Sequence, residues 1–183
     1  MLKTISLWCL LVLPVIAGCQ PGGRAVDVVV TDGGVFPAGL AGTWKEGTTG
    51  WQITFAPDGS ITSATIAMGR IEMKPGRKTE FDTRAGGKGV FEPGRWLVQY
   101  SPQQRELMVL IVVEHFYESL DPNNTIEGEN TDILTGQISQ DGRIWDTQWY
   151  TMARYVAMIP QPKEFENNSE PQLRGPVTFT KSD

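Results

Sequence analysis

Between Leu40 and Thr180 the chain is cut into short stretches of alternating apolar and polar residues, separated by glycine and proline turns. In Trp51-Gln52-Ile53-Thr54-Phe55 the alternation is clean, and Pro57-Asp58-Gly59 follows at once. A period of two puts Trp51, Ile53 and Phe55 on one buried face of a strand. Proline fixes φ and glycine accepts positive φ, so the tripeptide reads as a hairpin turn. The pattern recurs. Ser60 to Met73 is a second run, with Gly69 placed for a bulge or bend, and Phe81 lies on one side of Lys78 to Arg84. Phe91 to Tyr100 is interrupted by Pro93-Gly94 and resumes with Trp96, Val98 and Tyr100 on one face. Leu107 to Val113 is apolar throughout and rich in β-branched residues, which predicts a strand covered on both faces. Thr131 to Ser139 and Arg143 to Met152 flank the tight turn Gln140-Asp141-Gly142. Val156 to Ile159 extends the sheet, and Val177 to Thr180 is a closing strand.

No segment carries a convincing amphipathic-helix pattern. About eight strands in hairpin order predict an all-β fold, an antiparallel up-and-down barrel, with a two-sheet β-sandwich as the alternative. Pro160 to Pro176, rich in proline, glutamate and asparagine, is expected to be irregular.

The N-terminus has a different grammar. Lys3 precedes an apolar run from Ile5 to Ile16, shorter than the roughly 20 residues a membrane-spanning helix needs. The run ends in Ile16-Ala17-Gly18-Cys19, which resembles the lipobox of bacterial lipoproteins. The resemblance implies that residues 1–18 are a signal peptide and that Cys19 becomes the first residue, carrying thioether-linked diacylglycerol and an amide-linked acyl chain such as palmitate. Two or more chains anchor a protein stably, whereas one does so marginally. Gln20 stands where, in the enterobacterial pattern, aspartate would favour the inner membrane, so the resemblance favours the periplasmic face of the outer membrane. Residues 19–39, opening with Gln20-Pro21-Gly22-Gly23, are expected to be a lipidated tether reaching about 25 Å, with Val26 to Val30 apolar enough to add an edge strand. Residues 40–183 then form a single β domain.

Composition narrows the function classes. The chain carries 16 Lys and Arg against 21 Asp and Glu, a net charge of −5, and Lys3 is lost with the leader. That balance argues against nucleic acid or anionic headgroups as partners. The lipid on Cys19, rather than the domain's charge, is the expected membrane contact. Of two cysteines, Cys9 leaves with the leader and Cys19 is lipidated, so no thiol remains for a disulfide, a metal site or a nucleophile.

Leu40-Ala41-Gly42-Thr43-Trp44, just before the first clean strand, is similar to the Gly-x-Trp opening of lipocalins. The resemblance implies an eight-strand barrel in which Trp44 plugs the closed end and a late arginine, Arg154, stacks on it.

Several constellations carry possible chemistry. His115 is the only histidine; Glu114 beside it points to the opposite strand face, and the usual zinc sets need more imidazoles. Asp121, Asn123, Thr125, Glu127, Glu129 and Asp132 have the spacing of a calcium loop, but Ile126 replaces the required glycine and no helices flank it, so the segment reads as a solvated hairpin. Asp132 and Asp146 are the pair to consider for acid-dependent hydrolysis, which needs two carboxyls in one cleft. No nucleophile elbow or phosphate loop is present. No catalytic residue, metal site or cofactor is therefore assigned. Trp145 and Trp149 share a strand face and are the candidate lining of a cavity for a small apolar or carbohydrate-like ligand; core filling is the competing reading. The sequence thus points to a non-catalytic, lipid-anchored binding module. A structural or protein-interaction lipoprotein without a pocket, partnered by envelope proteins, and a small acid-dependent hydrolase are the alternatives. An open interior would favour the first, and a solidly packed one the second.

Overall fold

The computed structural model describes residues 25–66, 71–83, 86–121, 123–159, 161–167 and 170–182. Cys19, the leader and Gly69 lie outside them. The protein is all-β. Its strands are β1 (Val26–Val30), β2 (Gly42–Glu46), β3 (Gln52–Phe55), β4 (Ile61–Ile66), β5 (Ile71–Met73), β6 (Thr79–Asp82), β7 (Lys88–Pro93), β8 (Trp96–Ser101), β9 (Glu106–Asp121), β10 (Asn124–Ile138), β11 (Ile144–Ile159), β12 (Gln161–Asn167) and β13 (Gln172–Lys181). Among the described residues no helix is long and apolar enough to cross a membrane.

All thirteen strands belong to one sheet, whose main path runs β1-β8-β9-β10-β11-β13-β2-β3-β4-β5. This differs from an eight-strand up-and-down barrel. Its ends, β1 and β5, are not paired with each other, and β1 lies parallel to β8 while the other pairings are antiparallel. Parallel pairing needs a crossover rather than a hairpin. Here the crossover is everything from Thr31 to Arg95.

β1 is the edge strand expected over Val26 to Val30, hydrogen-bonded into the sheet, and beyond it Phe36 is buried in the core. One expectation about the chain ends is corrected. Residues 160–176 are not all irregular: β12 pairs with β11, and β13 starts at Gln172. Polar residues can form edge strands when a neighbour supplies the backbone partners, so composition alone misleads there.

The long strands β9, β10 and β11 organise the molecule. Their lower halves are flanked by β8 and β13, and their upper halves by β7 (itself paired with β6) and by β12. The lower region closes around one hydrophobic core to which strands from both ends of the path contribute. Trp51, Ile53 and Phe55 face inward as their alternation requires, as do Trp96, Val98 and Tyr100. Trp44, Trp51, Trp96 and Trp145 are at most 1% exposed. An indole that buries about 200 Å² is worth about 5 kcal/mol of transfer free energy. The upper region is a single blade. Its buried residues are fewer, among them Phe91 and Ala157.

A β-bulge links the two regions. Asn130 of β10 pairs with Val113 and Gly128 with Phe116, so Glu114 and His115 together oppose Glu129. The extra residue reverses the alternation of β9. Val113 points into the core, and so does Phe116, three residues on.

Candidate functional site

Trp145 and Trp149 do not line an open cavity. Trp145 is fully buried, stacked on Phe179 at 4.9 Å and meeting Trp44 edge-on at 6.4 Å. Trp149 is half-buried and stands edge-on to Trp51 at 5.8 Å. Among the described residues the indole N–H groups of Trp51 and Trp145 have no hydrogen-bond acceptor. Each ring meets a neighbour at 83–84°, the T-shaped arrangement that suits N–H···π contact. Trp44, at the middle of β2, lies deep in the core and donates Nε1–H to the Leu40 carbonyl at 2.9 Å. Arg154 does not join it. Arg154 lies nine residues along β11 from Trp145, about 30 Å at strand rise, and is ion-paired with Glu129 at 3.3 Å.

The other acidic constellations are also separated. Asp146 is exposed and accepts a hydrogen bond from the Thr178 hydroxyl at 2.8 Å, whereas Asp132 faces the interior. Opposite faces of the sheet cannot form one cleft. Thr125, Glu127 and Glu129 alternate outward along β10, on the face opposite Asp132, so the calcium-like spacing is drawn out along a hairpin. His115 is exposed opposite Glu92. Among the described residues no three His, Cys, Asp or Glu side chains cluster as a metal site.

The structure instead assembles a polar cluster where the blade meets the core. Asp132 is 4% exposed. It accepts hydrogen bonds from Trp149 Nε1 at 2.8 Å and Asn130 Nδ2 at 2.7 Å, while the Thr151 hydroxyl donates to Asn130 Oδ1 at 2.9 Å. Burial raises the Asp132 pKa; these hydrogen bonds and the Arg174 charge oppose that rise without cancelling it. Glu118, on the same face of the blade, is likewise raised by desolvation. Six residues of β10 separate Ile126, the Glu118 partner, from Asp132. That is about 20 Å, too far for a retaining or inverting carboxylate pair.

Above the cluster runs an aromatic row. Phe81 and Phe91 are 4.9 Å apart, Phe91 and Phe116 6.3 Å, and Phe116 and Tyr155 6.4 Å between ring centroids. Gly128 sits between Phe116 and Tyr155 in the register. A Cβ there would lie 2.1 Å from the Arg154 carbonyl oxygen and 2.6 Å from the Tyr155 Cβ. Sequence reasoning missed this row because its members come from four strands far apart in the chain. Gly128 within an otherwise strand-like segment is the one local signal, since an interior strand glycine marks a close approach.

Two grooves mark the surface of the described residues. The larger, about 720 Å³, follows the seam between β1 and the start of β4; the smaller, about 220 Å³, lies on the outer face of β9 to β11 beside Glu114, Glu129 and Arg154. Neither touches Trp145 or Trp149. Comparison with protein-family models, with curated proteins and with solved structures found no match. The geometry therefore carries the functional reading.

Proposed function

We propose that this protein is a lipid-anchored cell-envelope module, held through Cys19 at the periplasmic face of the outer membrane, that recognises other envelope proteins with its surface and catalyses nothing. The observation that carries the reading is the solid interior. Four tryptophans at most 1% exposed occupy the space that a lipocalin-like ligand would need. The likeness carried by Gly42-Thr43-Trp44 belongs to the same proposal in reduced form. Buried Trp44 supports a plugged lower end, and Trp145 rather than Arg154 is its ring neighbour.

Native mass spectrometry of the protein purified from its host membrane tests this directly. The expected mass is the chain from Cys19 with its acyl groups and nothing else. A retained small molecule lost on Trp145→Phe substitution would place a ligand in the core and overturn the surface reading. Cys19→Ser should abolish labelling by radioactive palmitate and release the protein from membranes. Persistence of either would end the anchoring argument.

One observation favours a second reading. The row of Phe81, Phe91, Phe116 and Tyr155 rings would suit a carbohydrate-like ligand lying on the blade. Phe116→Ala should then remove a small-molecule adduct that Trp145→Phe leaves in place.

A further inference from the structure

We propose that the seam between β1 and β4 is a strand-acceptor slot, into which a partner protein adds a short extended segment paired with β1. This deepens the surface-partner reading and rests on it.

Among the described residues β1 is hydrogen-bonded on one side only, to β8. The Trp96 N–H donates to the Ala25 carbonyl, and Val26 is the register partner of Trp96. In a parallel ladder successive residues alternate which side their backbone groups serve. Ala25, Asp27 and Val29 therefore serve β8, and the N–H and C=O of Val26 and Val28 point to the free edge. Across the groove, β5 pairs only with Ala64 to Ile66 of β4, leaving the edge from Ser60 to Ser63 beyond its reach. An edge of unpaired backbone donors and acceptors is a template for another strand.

Both ends of the slot are pinned. Ala25 packs against Gly76 in the turn after β5, its Cβ 3.0 Å from where a Gly76 Cβ would be. At the other end the Phe36 ring covers Gly59, leaving no room for a Cβ there. Phe36 also packs against Phe55 and Tyr100, each at 5.9 Å. Between the pins lie Val26, Val28 and Ile61, apolar walls suited to alternate side chains of an added strand. The slot spans the five residues of β1, about 17 Å.

Charge gives the direction. Lys74 lies at the Ala25 end of the groove and Asp58 at the Phe36 end, both exposed. A segment with a basic residue at its amino end and an acidic one at its carboxyl end matches both when it runs antiparallel to β1. The occupant is thus a run of about five β-branched residues with a basic residue before it and an acidic one after it.

The test uses the full-length protein and a synthetic peptide, Lys-Val-Thr-Val-Thr-Val-Glu, followed by amide hydrogen exchange. Binding should slow exchange at Val26 and Val28 at least tenfold and leave Asp27 and Val29 unchanged. The same peptide with alternate backbone nitrogens methylated should not bind, and the version with its two charges exchanged should bind several-fold more weakly. Val28→Pro removes an outward N–H without touching the β8 ladder, so it should abolish protection by the peptide while thermal unfolding stays close to wild type. Should that variant fail to fold, Thr62→Lys on the opposite wall serves the same purpose. Undiminished binding of the methylated peptide, protection spread equally over Val26 to Val29, or protection arising without peptide from a dimer seen in sedimentation would each overturn the proposal. None of these outcomes bears on the native-mass result. The slot can therefore fail while the surface reading stands, and a failure of the surface reading is seen separately in the native mass.

Discussion

The lower and upper halves of β9, β10 and β11 are the same three strands in two environments. Below the bulge, Leu107, Val109 and Ile111 are fully buried and face a core of tryptophans. Above it, Phe116 and Tyr155 are only partly buried, and Phe91 joins the blade to the edge of the same core. Backbone pairing is continuous across the boundary, apart from the bulge. The difference teaches that hydrogen-bonded strands are not what sets stability here, because pairing is common to both halves. Burial is, and it is concentrated below.

The sharpest test of that division is a pair of truncations. Trp145→Ala should cost about 3–5 kcal/mol in urea unfolding, as for a large core side chain. Phe116→Ala should cost at most about half as much, since less of its surface leaves water on folding. Equal costs would mean that the blade is as firmly built as the core.

A second pair probes whether the two halves unfold together. Gly128 and Gly136 both lie in β10 against β11, where a Cβ would meet a backbone oxygen of β11 at 2.1 and 1.9 Å respectively. Overpacking of this kind costs about 1–3 kcal/mol. Gly136→Ala should lower the midpoint of global unfolding. Gly128→Ala should mainly accelerate amide exchange in the upper strands. A global shift of the same size from both would show one cooperative unit.

The smallest effects are in pH dependence, and their signs oppose each other. Glu46, buried at the end of β2, is raised by its burial, but the Thr49 hydroxyl and the Thr48 and Thr49 N–H groups outweigh this and leave its pKa lowered. Its stabilisation is present above the ordinary carboxylate range and is lost as pH falls through the depressed value. Glu46→Gln should therefore cost about 1 kcal/mol at neutral pH and progressively less in acid. Asp132 is raised, so the stability associated with its neutral form is complete below the ordinary range and is lost as pH climbs through the elevated value. Relative to wild type, Asp132→Asn should improve as pH rises. Parallel slopes for the two variants would contradict the assigned environments.

The sequence and the structure agree where periodicity is local. The Trp51 to Phe55 alternation is met by burial of all three large side chains, and the Gln140-Asp141-Gly142 turn is held by the Asp141 carboxylate, which accepts from the Arg143 N–H at 3.1 Å. The upper half of β9 was not legible. The apolar run ends at Val113, and a bulge at Glu114-His115 shifts the phase of alternation beyond it, although the strand continues to Asp121. β12 was illegible for another reason: its residues are polar, and only the neighbouring β11 makes them a strand. Of the candidate site, Asp132 and Trp149 could be noticed separately. Their 2.8 Å hydrogen bond joins residues 17 apart on adjacent strands, and no local pattern encodes it.

By itself the sequence determined that the chain is built of strands, because side-chain alternation and turn chemistry act between near neighbours. It also determined which residues avoid water. Tertiary structure decided how the strands are ordered, that β1 lies parallel to β8 with one edge open, and that the tryptophans fill the interior instead of lining it. Those outcomes depend on contacts between residues tens of positions apart, where the closing of long loops and the fit of large rings set the free energy.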